Sequence, residues 1–322
     1  MLSGRDRLTI CFAHVAYQLQ DRFARRKTGL RSVEARSREA LDGALGEADV
    51  LVISGLWHDA ILDRAPKLRF IQSIGAGVDQ FPQDLLRARG IRLARAQGVN
   101  ERAVAEHALA LILALTRHLP EARDHQRRHA WRPMIGDPAR REDELGGKTL
   151  LIVGLGRIGG RLARLAKAFD LRVVGIRREP GRGQNGADAV HTLAELERLA
   201  AEADIVALTC PLTPETTGVI NARVLAAMKP SALLINVARG RCVDEPALIR
   251  ALTDRRIAAA GLDCFMEEPL PAASPLWDFD NVLITPHAAG ETSRYEDNVL
   301  DVLLENLDRL WRGEATLKNQ VV

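Results

Sequence analysis

Short apolar runs alternate with helical patterns in the first hundred residues. The runs at 8–12, 50–53, 70–74 and 91–93 have the length of buried strands. Helical patterns separate them, as at 37–48 and 84–88. Because intervening helices let successive strands run parallel, the alternation predicts an α/β segment with a mainly parallel sheet.

A long, strongly apolar helix is predicted at 101–118, where we expect a domain junction, and the α/β rhythm restarts behind it. Strand patterns at 149–153, 172–176, 205–208, 232–237, 258–262 and 282–285 alternate with helical patterns at 157–169, 193–201 and 245–254. This order is typical of a doubly wound dinucleotide-binding domain. The closing helix, 292–311, has no strand left to follow there, so we expect it to pack on the first segment. We therefore predict a dinucleotide-binding domain at 99–288 and a second domain built from 1–98 and 289–322.

Composition and charge narrow the class of protein. No apolar stretch approaches the roughly 20 residues of a bilayer span, and the N-terminus, with Arg5, Asp6 and Arg7, lacks the apolar core of a secretory signal. The formal net charge is only +3, and basic residues are interleaved with acidic ones. We therefore predict a cytoplasmic protein with neither a membrane nor a nucleic acid as its partner.

The cysteines and histidines do not predict a metal site or a disulfide framework. The four cysteines are far apart and contain no C-x-x-C pair, so we interpret them as small buried hydrophobes. His125 and His129 are four residues apart on a predicted helix but have no suitable third ligand in view. His107 is interpreted as a packing residue of its helix.

A glycine-rich turn lies between the first strand and the first helix of the second α/β segment. Its residues are Gly154, Leu155, Gly156, Arg157, Ile158 and Gly159, which match G-x-G-x-x-G. The first glycine allows a tight turn, the second lets the backbone approach a pyrophosphate, and the third lets helix and strand pack closely. An ordinary strand-to-helix turn is the alternative, but this context favours a dinucleotide site.

The residues after the second strand bear on the choice between NAD(H) and NADP(H). Many such sites place an acidic residue there for the adenosine ribose, whereas this chain has Arg177 followed by Arg178. Two guanidinium groups in place of an acid favour a 2′-phosphate. We therefore predict that NADP(H) is preferred and that NAD(H) can be used.

Three side chains at predicted strand ends could perform chemistry on a 2-oxo acid. Reduction of such an acid needs a cation for the carboxylate and carbonyl, and an acid to protonate the developing alkoxide. Arg239 and His287 follow strands at the carboxyl edge of the sheet, and Glu268 follows the strand between them. A carboxylate bonded to His287 would stabilise the imidazolium. A surface arginine, a loop histidine and a solvated turn are the alternative interpretations.

Several motifs in a fixed order resemble the D-2-hydroxyacid dehydrogenase family, which includes glyoxylate and hydroxypyruvate reductases and phosphoglycerate dehydrogenases. They lie at 73–79, 104–107, 147–149 leading into the glycine turn, 211–216, 236–240, 262–271 and 285–290. The resemblance implies a Rossmann cofactor domain and a flavodoxin-like α/β substrate domain formed by both chain ends. It also implies a homodimer.

The resemblance implies a role for individual residues. Arg239 would bind the substrate, His287 would transfer a proton, and Glu268 would orient His287. Asp263 would hold the nicotinamide carboxamide. Substrate contacts are implied for Ala76, Gly77, Asn100, Arg239 and His287, and further cofactor contacts for Cys210, Pro211, Thr216, Val237, Ala238, His287 and Gly290.

The sequence therefore predicts an NAD(P)-dependent reductase of a small 2-oxo acid such as glyoxylate or hydroxypyruvate. The absence of a further C-terminal domain argues against an allosterically regulated phosphoglycerate dehydrogenase. Two alternatives stay open: a formate or phosphite dehydrogenase of the same fold, and a dinucleotide-sensing protein like the corepressors that share it. The short segment after the last helix disfavours the second alternative.

Overall fold

A computed structural model describes residues 2–138 and 141–322. These residues form two compact units, Met1–Asn100 with Thr292–Val322, and Glu101–Glu291. The predicted domain boundaries lie two residues from the first junction and three from the second. Within the described ranges, no helix combines the length and apolar character needed to cross a bilayer.

The first unit is built on a parallel sheet with helical connections. Its strands are β1 (Thr9–Ala13), β2 (Arg31–Ala35), β3 (Val50–Ile53), β4 (Phe70–Ser73) and β5 (Arg92–Ala94), and its first helices are α1 (Leu19–Arg25), α2 (Arg38–Ala44), α3 (Ile61–Arg64) and α4 (Gln83–Ala88). The strands pair in the order β2-β1-β3-β4-β5, all parallel. This is the flavodoxin-like order.

The second unit is a doubly wound fold around a parallel sheet. Its strands are β6 (Thr149–Val153), β7 (Arg172–Ile176), β8 (Ala189–His191), β9 (Ile205–Leu208), β10 (Leu233–Asn236), β11 (Ala259–Leu262) and β12 (Val282–Ile284). Its helices are α5 (Glu101–Thr116), α6 (Leu119–Arg127), α7 (Arg157–Lys167), α8 (Leu196–Glu202), α9 (Ala222–Ala227) and α10 (Glu245–Thr253). The strand order β12-β11-β10-β9-β6-β7-β8 reverses direction between β6 and β9, as in dinucleotide-binding folds. Ligands of such sheets bind at the carboxyl ends of the strands beside this switch point.

Helix α5 belongs to the core of the second unit. Its apolar residues Val104, Ala108 and Ile112 are buried in one hydrophobic cluster with strand residues such as Ile152 and Ile235. This packing explains the apolar character that suggested a domain junction.

The last helix, α11 (Tyr295–Trp311), returns to the first unit. Val299, Leu303 and Leu307 are fully buried with Ile10 of β1 in one cluster. Burial of several large apolar side chains at about 1.5–3 kcal/mol each is enough to hold the helix on its sheet. The first unit therefore consists of both chain ends.

Candidate active site

The glycine turn joins β6 to α7, and two of its glycines are sterically required. Gly154 has φ +106°, and a Cβ there would lie 2.5 Å from the backbone nitrogen of Cys210. A Cβ on Gly159 would lie 2.5 Å from the carbonyl oxygen of Gly154 and 3.0 Å from Ile152. The first glycine thus forms the tight turn, and the third lets helix and strand pack closely.

Gly156 has open space where a side chain would lie. Among the described residues, no atom outside its own neighbourhood lies within 4 Å of an added Cβ. Gly156 is also the N-cap of the eleven-residue helix α7, whose first N–H groups have no partner inside the helix. Open space beside a helix N-terminus suits a pyrophosphate, so this turn fits the dinucleotide.

A cavity of about 650 Å³ extends from the glycine turn along the ends of β6, β7 and β9. Arg177 and Arg178 both line it. Arg177 donates to the carbonyl oxygen of Gly183 at 3.2 Å, which ties it to the loop after β7. Arg178 is exposed. The pKa of Glu215, across the cavity, is lowered by hydrogen bonds from Thr213 and a backbone N–H, and the positive charge of Arg178 contributes to this shift. Arg178 is thus the less constrained guanidinium of the two.

The cavity also holds an acidic residue that the sequence argument missed. Glu179 lines the wall and accepts a hydrogen bond of 2.7 Å from Arg182, another lining residue. Glu179 follows the strand by three positions, beyond the place where an acid was sought. The position after the strand is Arg177, as the sequence argument stated, but an acid also lines the cavity, and Arg182 compensates its charge.

Other predicted cofactor contacts lie at the ends of β9 and β10. Cys210 and Pro211 follow β9 and line the cavity together with Thr216, whose hydroxyl donates to the Pro211 carbonyl at 2.7 Å.

The side chains of the glycine turn itself lie in different surroundings. Leu155 is buried in the core, and Ile158 is half-buried on α7. Arg157 is exposed and bonds Glu101 at 3.3 Å, so its side chain points to α5.

Arg239 is positioned by the loop after β10. The buried Asn236 side chain accepts from the N–H of Ala238 at 3.0 Å and donates to the carbonyl oxygen of Arg239 at 3.1 Å. Val237 and Ala238 are buried, whereas Arg239 is half-buried. The next residue, Gly240, is pressed against the following loop. An added Cβ would lie 1.8 Å from the carbonyl carbon of Phe265.

Glu268 and His287 form a direct pair. The Nδ1 atom of His287 lies 2.7 Å from Oε2 of Glu268, whose other oxygen accepts from the N–H of Phe265 at 2.9 Å. The hydrogen bond with Glu268 raises the pKa of His287 despite partial burial, and the charge of Arg239 opposes the rise. Burial by itself would raise the pKa of Glu268, but the hydrogen bonds that it accepts from His287 and Phe265 lower this pKa overall. The charge of Arg239 acts on both groups, and Gly240, beside Arg239, packs against Phe265 of the segment that carries Glu268.

Asp263, at the end of β11, is buried beneath the His287 loop, which we define as residues 285–289. Its Oδ1 accepts from the Thr285 hydroxyl at 2.6 Å and from the Ala288 N–H at 2.9 Å, and its Oδ2 accepts from the Ala289 N–H at 3.0 Å. The residue is almost completely buried, and all three of these hydrogen bonds come from the loop above it. Asp263 therefore also holds this loop, a role that the sequence did not reveal.

The His287 loop is short and strained. His287 has φ +54°, and its N–H donates to the Thr285 carbonyl oxygen at 3.0 Å across Pro286. A left-handed histidine persists only where its surroundings determine the conformation. Gly290 follows the loop and is half-buried.

The remaining substrate candidates belong to the first unit. Ala76 and Gly77 are half-buried in the loop after β4, where the Ser73 hydroxyl donates to the Gly75 carbonyl oxygen at 3.1 Å. Asn100 is the last residue of that unit's first segment. The structure thus places this group in one unit and the trio of Arg239, Glu268 and His287 in the other.

Comparisons with known proteins agree with this architecture. The sequence profile of the D-isomer specific 2-hydroxyacid dehydrogenase NAD binding domain matches residues 109–289. The glyoxylate reductase of Korarchaeum cryptofilum is 38% identical over 271 residues, which cover 81% of this chain and 79% of that protein. The D-3-phosphoglycerate dehydrogenase of Mycobacterium tuberculosis is 38% identical over 290 residues, 88% of this chain but 53% of that protein. The chain spans about half the length of such phosphoglycerate dehydrogenases.

Solved structures cover the whole fold. The NADPH-dependent glyoxylate/hydroxypyruvate reductase of Sinorhizobium meliloti, in complex with NADP and malonate, has a TM-score of 0.82 at 29% identity and covers 98% of this chain and 97% of that one. A family protein from Aeromonas salmonicida has a TM-score of 0.85 at 32% identity, with 98% and 99% covered. The chain belongs to the D-isomer specific 2-hydroxyacid dehydrogenase family.

Proposed function

We propose that this family member is an NADPH-dependent reductase of a small 2-oxo acid such as glyoxylate or hydroxypyruvate. The observation that carries the proposal is the His287–Glu268 pair beside Arg239, on the same sheet edge as the glycine turn. Reductases of these acids are among its relatives, and one structural neighbour is described as NADPH-dependent. The phosphoglycerate dehydrogenase relatives favour 3-phosphohydroxypyruvate as a second candidate substrate.

Arg239 is the proposed substrate-binding cation. Its guanidinium can form two parallel hydrogen bonds to a carboxylate and can polarise the adjacent carbonyl. The loop after β10 fixes its backbone through Asn236, and the guanidinium donates to the Ala238 carbonyl oxygen at 2.8 Å, so the charge is held in place before the substrate arrives. Ala76, Gly77 and Asn100 are proposed to supply further substrate contacts from the first unit.

His287 is the proposed proton donor. Its pKa is raised by the hydrogen bond with Glu268, so the imidazolium persists to higher pH and can protonate the substrate oxygen. Glu268 keeps the proton on Nδ1 and leaves Nε2 to deliver the reacting proton. A nicotinamide dinucleotide, when bound, supplies the hydride to C2 of the acid.

We propose that the 2′-phosphate of NADPH is held mainly by Arg178, with Arg177 shaping the loop around it. This division follows from the hydrogen bond of Arg177 to Gly183 and the exposure of Arg178 at the cavity wall. Gly154 to Gly159 and the α7 N-terminus would hold the pyrophosphate. Asp263 and Gly290 would contact the nicotinamide end.

We further propose a homodimer that works in the cytoplasm. The side chains of Trp131 and Met134, which follow α6, are 97% and 98% exposed, and apolar side chains so exposed are typical of a surface that a partner covers. All four cysteines lie in the described ranges and are buried as free thiols, as is usual in a reducing compartment. Light scattering after gel filtration tests the dimer.

The activity is tested by following absorbance at 340 nm with NADPH and a panel of 2-oxo acids that includes glyoxylate, hydroxypyruvate and 3-phosphohydroxypyruvate. We expect turnover of at least one acid and a kcat/KM that favours NADPH over NADH at least tenfold. His287→Asn should lower kcat by about 10²–10⁴-fold. No turnover on any acid would favour the dinucleotide-sensing alternative, and full activity of the variant would exclude His287 as the donor.

A further inference from the structure

His107 lies over the same strand ends as the candidate site, although the sequence predicted only a packing role for it. It belongs to α5, and its Nε2 atom is 2.9 Å from the Thr285 hydroxyl and 3.6 Å from Oδ1 of Asp263. Its side chain is about three-quarters buried. The contact therefore links a core helix to the loop that carries the proposed proton donor.

The position of His107 follows from close packing one helical turn away. Gly261, in the middle of β11, has no side chain, and a Cβ there would lie 3.1 Å from the Cβ of Leu111. Residues i and i+4 of a helix share a face, so His107 lies on the face that Leu111 presents to β11. The glycine thus brings α5 near enough for His107 to reach Thr285.

The direction of each hydrogen bond in this chain is determined. Asp263 accepts two backbone N–H groups, and its Oδ1 also lies 2.6 Å from the Thr285 hydroxyl. The single hydroxyl proton of Thr285 is donated to that carboxylate. The hydroxyl oxygen must therefore accept from His107, which carries its proton on Nε2.

We infer that His107 is a positioning residue for proton transfer. It donates to the Thr285 hydroxyl, which in turn holds Asp263. Asp263 accepts the N–H groups of Ala288 and Ala289, so Thr285 before His287 and these two residues after it are fixed together. Without this donor the Thr285 hydroxyl is held by Asp263 alone, and the strained loop loses one of the contacts that determine it. His287 then spends less time within hydrogen-bonding distance of Glu268. This inference rests on the proposed function, because it assigns His107 to the same proton transfer.

The test compares His107→Leu, which removes the donor, with His107→Gln, which keeps an N–H near the position of Nε2. In the full chain, His107→Leu should lower kcat for 2-oxo acid reduction about tenfold. KM should stay within about twofold because Arg239 is untouched. The imidazole of His287, followed by NMR and assigned with His287→Asn, should titrate at lower pH in His107→Leu. His107→Gln should restore both properties.

Thr285 and a second histidine supply the controls. If His107 acts through the hydroxyl, Thr285→Val should reproduce the loss, the double variant with His107→Leu should lose no more, and Thr285→Ser should keep activity. His58→Leu is the matched control, since His58 has a similar exposed fraction, belongs to the first unit and faces Asp42. It should behave as the unmodified protein.

Two results would overturn the inference. One is an unchanged His287 titration and kcat in His107→Leu; the other is independent, multiplicative losses in the double variant. If His107→Leu does not fold, the comparison of Thr285→Val with Thr285→Ser decides in its place. The NMR titration needs no turnover, so it tests His107 even if His287→Asn shows that another group donates the proton.

Discussion

His287 combines two properties that serve proton donation, a left-handed backbone and a carboxylate partner. The backbone has φ +54°, and Glu268 holds the ring through a contact of 2.7 Å to Nδ1. Both properties depend on residues distant in sequence, because Asp263 holds the loop and Glu268 holds the ring. The imidazole is thus preorganised by its surroundings.

The pairing of His287 predicts the pH dependence of the reaction. Reduction requires the imidazolium, so kcat should fall as pH rises through the pKa of His287, which the hydrogen bond with Glu268 raises above its ordinary value. Glu268→Gln removes the charge, and the pKa of His287 should return toward its ordinary value. The pH at which kcat declines should therefore move to lower pH, as a pH–rate profile measures. An unchanged profile would show that Glu268 does not control this proton.

Glu179 and Arg182 should tune the choice of cofactor. Glu179 can accept a ribose hydroxyl but repels a 2′-phosphate, whereas Arg182, at 2.7 Å, neutralises it. Arg182→Gln should therefore weaken NADPH binding about tenfold relative to NADH, and Glu179→Gln should shift the ratio the other way. Quenching of protein fluorescence gives both dissociation constants. Equal affinity changes for both dinucleotides in either variant would contradict this assignment.

Among the elements, the glycine turn offers two substitutions that separate the stability of the protein from its affinity for NADPH. Gly159→Ala places a methyl group 2.5 Å from the Gly154 carbonyl and should lower the free energy of unfolding by about 1–3 kcal/mol. Gly156→Ala places its methyl in open space with a negative φ, so stability should change little. NADPH affinity should nevertheless fall, because that methyl occupies the space of the pyrophosphate.

Urea denaturation and NADPH titration of the two variants give the measurements. A stable Gly156→Ala with unchanged affinity would show that the pyrophosphate lies elsewhere. A Gly159→Ala as stable as the unmodified protein would show that α7 can move away from β6 at no cost.

The sequence predicted the elements that are long and apolar, and missed two of the four edge strands, β2 and β8. The bounds of β3, β6, β7 and β9 agree with the predicted runs to the residue. Strands β2 and β8 lie at sheet edges, where few residues are fully buried and no continuous apolar run is required. The short helices α1, α3 and α9 gave too few turns for a clear period.

The site was predictable as far as its residues lie at strand ends. Arg239, Glu268 and His287 could be placed because parallel strands end at one edge. Glu179 lies two residues beyond the position that the pattern examines, which is Arg177. His107 could not be found because its role depends on Gly261, whose missing side chain acquires meaning only when a helix packs against it.

At the scale of the whole molecule, α11 should control the stability of the first unit. Leu303 is fully buried in the cluster that joins α11 to β1. Leu303→Ala should therefore lower the free energy of unfolding of this unit by about 2–5 kcal/mol, as denaturant titration measures. The affinity of the second unit for NADPH should be unaffected, and a large affinity loss would show that α11 does more than complete the first unit.

The absence of space at Gly240 restricts how the pocket can change over evolution. Since not even a methyl group fits between Gly240 and Phe265, the segments that carry Arg239 and Glu268 must shift as one body. New substrate preferences are then acquired most easily by substitutions outside these two segments. A directed library that spares 239–240 and 265–268 should yield more active clones than one that randomises these two segments.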